Sequence, residues 1–421
     1  MKLMRLWLAG MWMLTACAVL GGEPTPTLVP TLAVVPSPTP QPPTATAAPL
    51  PATATVTSAP VASDTPAPAP TASQPQFLAY VQNDQLLVTD VTGGANNGTT
   101  QYTQPGVDDK VIDVAWSPSG EFVAFVSGAK EGEARLFVVY AVGAGTPVDL
   151  GPGVSPAWSP DSRTLAFMST NYPDNNIWVT TIENPERRQL TFETDFNWGR
   201  PVFTPEGSAL LVAGNSFAET GATGNTTFAL ERLALDGSGA RERLPETREL
   251  GGYQLPFDLR FAPDGQRIAF SANAHISACA AQGAAFIGNA DGKGISDYYI
   301  GSLQQAEEAE QDRYYLTNDY AWLADSSGIL ISAQVRDCAP VAPEPGKSIA
   351  GPQLTVVKLD GAQGLTIAGQ FAFPSVDRAG QFVAAARYES FDAPGRIQLL
   401  SLADGRVVLD LGEGLLPQLQ P

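Results

Sequence analysis

Histidine is almost missing from this chain of 421 residues: His275 is the only one, and the cysteines are three, Cys17, Cys279 and Cys338. That scarcity excludes a histidine cluster, a four-cysteine zinc site and a multi-disulfide scaffold. Basic residues are also few, 24 against 43 acids, for a formal charge of −19. A surface so negative repels phosphate backbones and excludes nucleic-acid binding as a default. No Gly-x-Ser-x-Gly elbow occurs, and His275 has no serine at a convincing spacing, so a catalytic triad is not encoded. Gly346-Lys347-Ser348 lacks the upstream glycine of a phosphate-binding loop. No metal or other cofactor is implied. Sustained helical heptads are absent as well. What the chain does have is 40 glycines and 36 prolines, the marks of a turn-rich polypeptide.

The first residues read as an address. Lys2 and Arg5 precede an apolar run from Leu6 to Leu14, too short to span a bilayer as a stable helix. The run ends in Leu14-Thr15-Ala16-Cys17, which resembles the lipobox of bacterial lipoproteins; the resemblance implies a signal peptide over residues 1–16 and acylation of Cys17. Acyl chains bury methylenes at about 0.8 kcal/mol each, enough for two or three chains to hold the protein on a membrane. From Glu23 to Pro75 prolines alternate with threonine and alanine, and only Glu23 and Asp64 are charged. Such a composition cannot fill a core and predicts a disordered, polyproline-prone tether over residues 17–75.

From residue 76 onward the chain repeats itself. WSPSGEFVAF (116–125), WSPDSRTLAF (158–167), FTPEGSALLV (203–212), FAPDGQRIAF (261–270) and WLADSSGILI (322–331) align, with VDRAGQFVAA (376–385) as a weaker copy. Each joins an apolar anchor to a four-residue turn and then to a continuously apolar strand, as expected where both faces of a sheet are covered. Pro118, Pro160, Pro205 and Pro263 suit the second turn position, and Gly120, Gly207, Gly265 and Gly380 its positive-φ end. Asp236-Gly237, Asp291-Gly292, Asp360-Gly361 and Asp404-Gly405 mark a second hairpin in each unit. Two hairpins make a four-stranded blade. Asn289-Ala290-Asp291-Gly292 reads as such a turn rather than a calcium loop.

These residues resemble the TolB-like propellers with WD40-like (PD40) repeats, over everything after the tether. The resemblance implies an all-β propeller and says little about function, because the repeated residues are turn and core residues. FLAYVQNDQLLVTDVTGG (77–94) supplies the second and third strands of a blade that lacks a first. DLGEGLLPQLQP (410–421) repeats DLGPGVSPAWSP (149–160), which places Leu419 at the Trp158 position. The C-terminus therefore closes the first blade, and seven blades result; six, as in TolB itself, is the alternative.

Insertions fall at 214–226, 275–283, 302–320 and 336–352, all on the rim that carries the loops between second and third strands. One elaborated face across blades four to six points to binding. Tyr172, Phe217, Tyr314, Tyr315 and Tyr320 are its candidate contact residues. Cys279 and Cys338 occupy corresponding loops of adjacent blades and are expected to pair in an oxidising compartment. The expectation is an extracytoplasmic protein, lipid-anchored to a bacterial membrane, that binds a protein or envelope polymer without catalysis. The alternative is a hydrolase or lyase acting on glycans through channel carboxylates.

Overall fold

The computed structural model describes residues 75–102, 110–128, 134–143, 145–170, 176–194, 196–216, 229–244, 257–276, 281–298, 313–337, 348–390 and 393–421. Residues 1–74, which hold the expected signal peptide, Cys17 and nearly all of the expected tether, lie outside them. Seven antiparallel sheets are present, six of four strands and one of five. Seven blades, rather than six, is the architecture. The inner strands, in blade order, are Leu415–Leu419, Val111–Trp116, Val154–Trp158, Phe196–Trp198 with Val202–Phe203, Phe257–Phe261, Arg313–Trp322 and Gln370–Val376.

The turns that join inner strands to second strands work as their residues dictate. Gly120, Gly207, Gly265 and Gly380 all sit at φ between 67° and 72°. Blades three and six have serine there instead: Ser162 and Ser326 adopt φ of 61° and 59°. Each serine stitches its turn to the blade before. Ser119 N–H donates to Ser162 Oγ (2.8 Å), and Asp264 N–H to Ser326 Oγ (3.0 Å). The anchors add a second stitch. The indole N–H of Trp116, Trp158 and Trp322 donates to the carbonyl of Gln418, Ala115 and Arg260, each on the preceding inner strand.

Apolar side chains fill the wedge between every pair of neighbouring blades. Trp198, Leu210 and Val212 of blade four, for example, pack on Ala166, Ile177 and Val179 of blade three. Second strands are buried on both faces, most completely Gly328–Asp337. Each fully buried Leu, Ile or Phe contributes about 1.5–3 kcal/mol, so the cores between blades hold the ring together.

The ring closes through its ends. Leu415–Leu419 pairs with Phe77–Gln82, setting Leu419 opposite Leu78 and Leu415 opposite Val81. Gln420 N–H donates to the Phe77 carbonyl and Gln420 Nε2 to that of Gly120, both at 2.9 Å. The N-terminal end of Phe77–Gln82 thus lies beside the Gly120 turn. The chain joins the ring on the rim of short turns.

The insertions are partly strand rather than loop. Second and third strands in blades one to three have five or six residues. In blade five they are Arg267–Ile276 (10 residues) and Ala281–Asn289 (9 residues). In blade six they are Gly328–Asp337 (10 residues) and Ser348–Lys358 (11 residues). Inner-strand pairing continues with them: Arg313–Trp322 stays in register up to Arg313 opposite Asp337. At ~3.3 Å per residue, four or five extra residues lift these hairpins by about 13–16 Å above the shorter blades. Only one rim is raised.

Candidate functional site

The site is built from one column of the repeat, the third residue before the apolar anchor. Around the ring that column holds Leu416, Asp113, Ser155, Arg200, Asp258, Asp319 and Phe373. The inner strands break ladder register at or beside this position in six blades. In the remaining blade, the fourth, the strand itself is interrupted at Gly199-Arg200-Pro201. Ser155, Asp258, Phe373 and Leu416 take φ between 52° and 55° there. A bulge re-aims a side chain out of the strict two-residue alternation. Here it puts charged groups on the axis instead of between blades.

Their partners prove the axial position. Arg200 of blade four forms an ion pair with Asp113 of blade two, skipping blade three. Contact between non-neighbouring blades is possible only across the central channel. Asp113 Oδ1 also accepts the Val114 N–H at 2.9 Å. Arg260 grips Asp258 with a two-pronged fork, Nε to Oδ1 at 2.9 Å and an Nη to Oδ2 at 2.8 Å. Its other Nη donates to the Tyr320 carbonyl of blade six at 3.2 Å. Asp319 accepts N–H bonds from Tyr320 (2.8 Å) and from Phe373 of blade seven (2.6 Å).

Electrostatics follow from crowding five charges into one mouth. Burial, opposed by Arg200 and aggravated by Asp258, raises the Asp113 carboxyl above its ordinary range. Burial and then the Asp258 charge push Asp319 up to about 7, against the pull of Arg260 and two backbone N–H groups. Arg260 is drawn down by burial but held above its ordinary value by Asp258 and Asp319. Tyr388 is pushed up to about 12 by burial and then by Asp319.

This mouth opens on the raised rim. The other mouth has a different chemistry: a funnel of about 310 Å3 lined by Pro118, Pro160, Pro205 and Pro263 with Trp158, Phe203 and Phe261 and no ionisable group. Among the described residues no three His, Cys, Asp or Glu side chains are placed to hold a metal ion.

Of the residues singled out from sequence, Tyr320 is corrected. It is fully buried in the core between blades five and six, and its hydroxyl donates to the Asp258 and Ala269 carbonyls. Its ring is a floor support beneath Asp258 and Arg260, not a contact surface, because the strand carrying it continues upward past it. Tyr314 and Tyr315 belong to the same strand, in its raised part, opposite Arg336 and Val335; their side chains lie outside the described residues. Tyr172, Phe217, Cys279 and Cys338 also lie outside them.

No family model matches the chain. A protein named "uncharacterized peptidase YuxL" of Bacillus subtilis (strain 168) is 27% identical over 194 residues, which cover 39% of this chain and 29% of that protein. The chain thus spans well under half the length of that relative. TolB of Acinetobacter baumannii is similar over 82% of this chain and 83% of its own, at 16% identity and TM-score 0.45. An oligogalacturonate lyase in complex with manganese is similar over 81% and 85%, at 11% identity and TM-score 0.50. The chain has a seven-bladed β-propeller fold. In this propeller the axial charges are not obvious from the sequence, although a signal is present. Aligning the copies on their anchors sets Asp113, Arg200, Asp258 and Asp319 in one column, where an apolar residue would continue the pattern.

Proposed function

We propose that the protein is a lipid-anchored, extracytoplasmic recognition module that binds a protein partner through the raised rim of blades four to six, without catalysis. The observation that carries the reading is the one-sided lengthening of the hairpins in blades five and six, while the opposite rim keeps its short turns. Raised walls carried on rigid sheets make a concave surface suited to recognition. Acylation at Cys17 would hold the chain on a membrane, and the first described strand, Phe77–Gln82, begins on the short-turn rim. In sequence Cys279 falls between the strands Arg267–Ile276 and Ala281–Asn289, and Cys338 directly follows Asp337; both lie outside the described residues. A bridge between them would tie two raised tips together.

Charge narrows the choice of partner. In the connections on the raised rim the basic residues are Lys110, Lys130, Arg248 and Lys347, whereas the connection 299–312 alone carries Glu307, Glu308, Glu310 and Asp312. A polyanionic envelope polymer is repelled by such a rim, and a protein is preferred. The second reading, a glycan hydrolase or lyase, is favoured by the carboxylates in the channel. It is weakened by pairing: Asp258 is held by Arg260 and Asp113 by Arg200, so among the described carboxylates of the mouth no two stand free to work as an acid and base together.

The test uses the full chain made soluble by Cys17→Ser. Envelope extracts are passed over it and over a form lacking residues 338–347. A specific protein retained by the first and lost by the second supports the reading; equal retention, or turnover of glycan or peptide by the purified protein, defeats it. Mass measurement before and after reduction settles the bridge, which two free thiols in the native protein would eliminate.

A further inference from the structure

Three aspartates face two arginines in the charged mouth, and the arithmetic of contacts is uneven. Arg260 has committed its fork to Asp258 and its remaining nitrogen to the Tyr320 carbonyl. Arg200 is committed across the axis to Asp113. Among the described residues Asp319 is bonded to backbone N–H groups alone, and no cation stands within ion-pair distance of it. Among those residues the mouth therefore holds one more carboxylate than it holds cations. It also displays the counter-charge it accepts, since two guanidinium groups already lie among these carboxylates.

The surroundings select the same sign of charge independently. By sequence, the segments that join the described strands at this end carry more acidic than basic residues, and the whole chain carries −19. A recess with low-dielectric walls concentrates such a field. A bare metal ion is a poor fit, for among the described residues no three carboxylates are placed to share one. A side chain with several N–H donors fits carboxylates that lie on different blades.

We propose that the charged mouth seats a lysine or arginine side chain of the protein partner beside Asp319, supplying the cation that this carboxylate lacks. The inference rests on the recognition reading above and names the chemistry of the partner's anchor. Seating a cation there also lowers the proton affinity of Asp319. Near neutral pH a share of Asp319 carries a proton, so binding expels it.

The experiment titrates the full-length Cys17→Ser chain with octalysine by calorimetry at pH 7, in two buffers of different ionisation heat, with octaglutamate as control. Expected are binding of octalysine only and a buffer-dependent heat that reports proton release. Asp319→Asn should weaken binding at least tenfold and abolish the release. Arg200→Gln should tighten binding several-fold, because it frees Asp113 of its resident cation; a merely structural role predicts no tightening. Asp236→Asn, on the short-turn rim, should change neither. The proposal is overturned if Asp319→Asn, folded by circular dichroism, binds within twofold of the parent. It is overturned equally if Asp319→Asn does not fold and Arg200→Gln fails to tighten binding. Retention of a natural partner by the parent and Asp319→Asn alike would leave the recognition reading standing and remove only this anchor.

Discussion

A serine at φ near 60° is a small conflict that the ring resolves locally. Left-handed backbone costs a non-glycine residue about 1–2 kcal/mol, and the bond that Ser162 Oγ accepts from Ser119 offsets about 1 kcal/mol of it. Ser162→Gly removes both the strain and the bond and should leave the melting temperature almost unchanged. Ser162→Ala keeps the strain, loses the bond and should destabilise by about 1–2 kcal/mol in a urea titration. Asp319 sets a pH dependence of definite sign. Its folded pKa of about 7 stands above the ordinary 3.8, so the folded state binds the proton more tightly. Stability should fall as pH rises between about 4 and 7, then level off. Asp113, raised as well, adds to the fall with the same sign, whereas carboxylates held low, such as Asp161 and Asp410, act below that window. Asp319→Asn should flatten the slope of melting temperature against pH over the same range. An unchanged slope would show that another group sets it.

At the scale of elements, much was legible in advance. The apolar anchors, the Pro-Asp-Gly turns and strands such as IAF and ILI carry their conformation in their own residue types, so four-stranded blades could be read directly. The match between GLLPQLQP and GVSPAWSP gave the closing strand, because a strand's register is written in its alternation. The raised hairpins were legible as extra length but not as strand. His275-Ile276 and AQGAAF (281–286) have too little β-branched content to announce themselves, and pairing with each other's strand makes them β-structure. The axial column was hidden for a related reason. A bulge shifts the side-chain period by one, so Asp258 in FDLRF reads as facing the space between blades. Trp322 tests the stitch between inner strands: Trp322→Phe keeps an aromatic anchor but loses the N–H donated to Arg260. It should cost about 1 kcal/mol, with most of the secondary structure retained by circular dichroism.

At the largest scale the described residues form one closed circuit of sheets, and its cooperativity depends on a few of them. Removing Leu415–Pro421 strips the first blade of its inner strand and takes Leu419 from the core it shares with Leu78 and Ile397. It also takes the acceptor from Trp116. Melting should drop by well over 10 °C and broaden; a deletion that melts like the parent would refute closure as the source of stability. There is a temporal side to this arrangement. The strand that completes the first sheet stands far along the chain from its partner, so a copy interrupted before Leu415 cannot present a sealed circle. A nascent or partly threaded copy keeps a bare edge at Phe77–Gln82 until Leu415–Leu419 arrives. Any copy that stops short of that strand is left recognisably open to whatever surveys the compartment for loose strands.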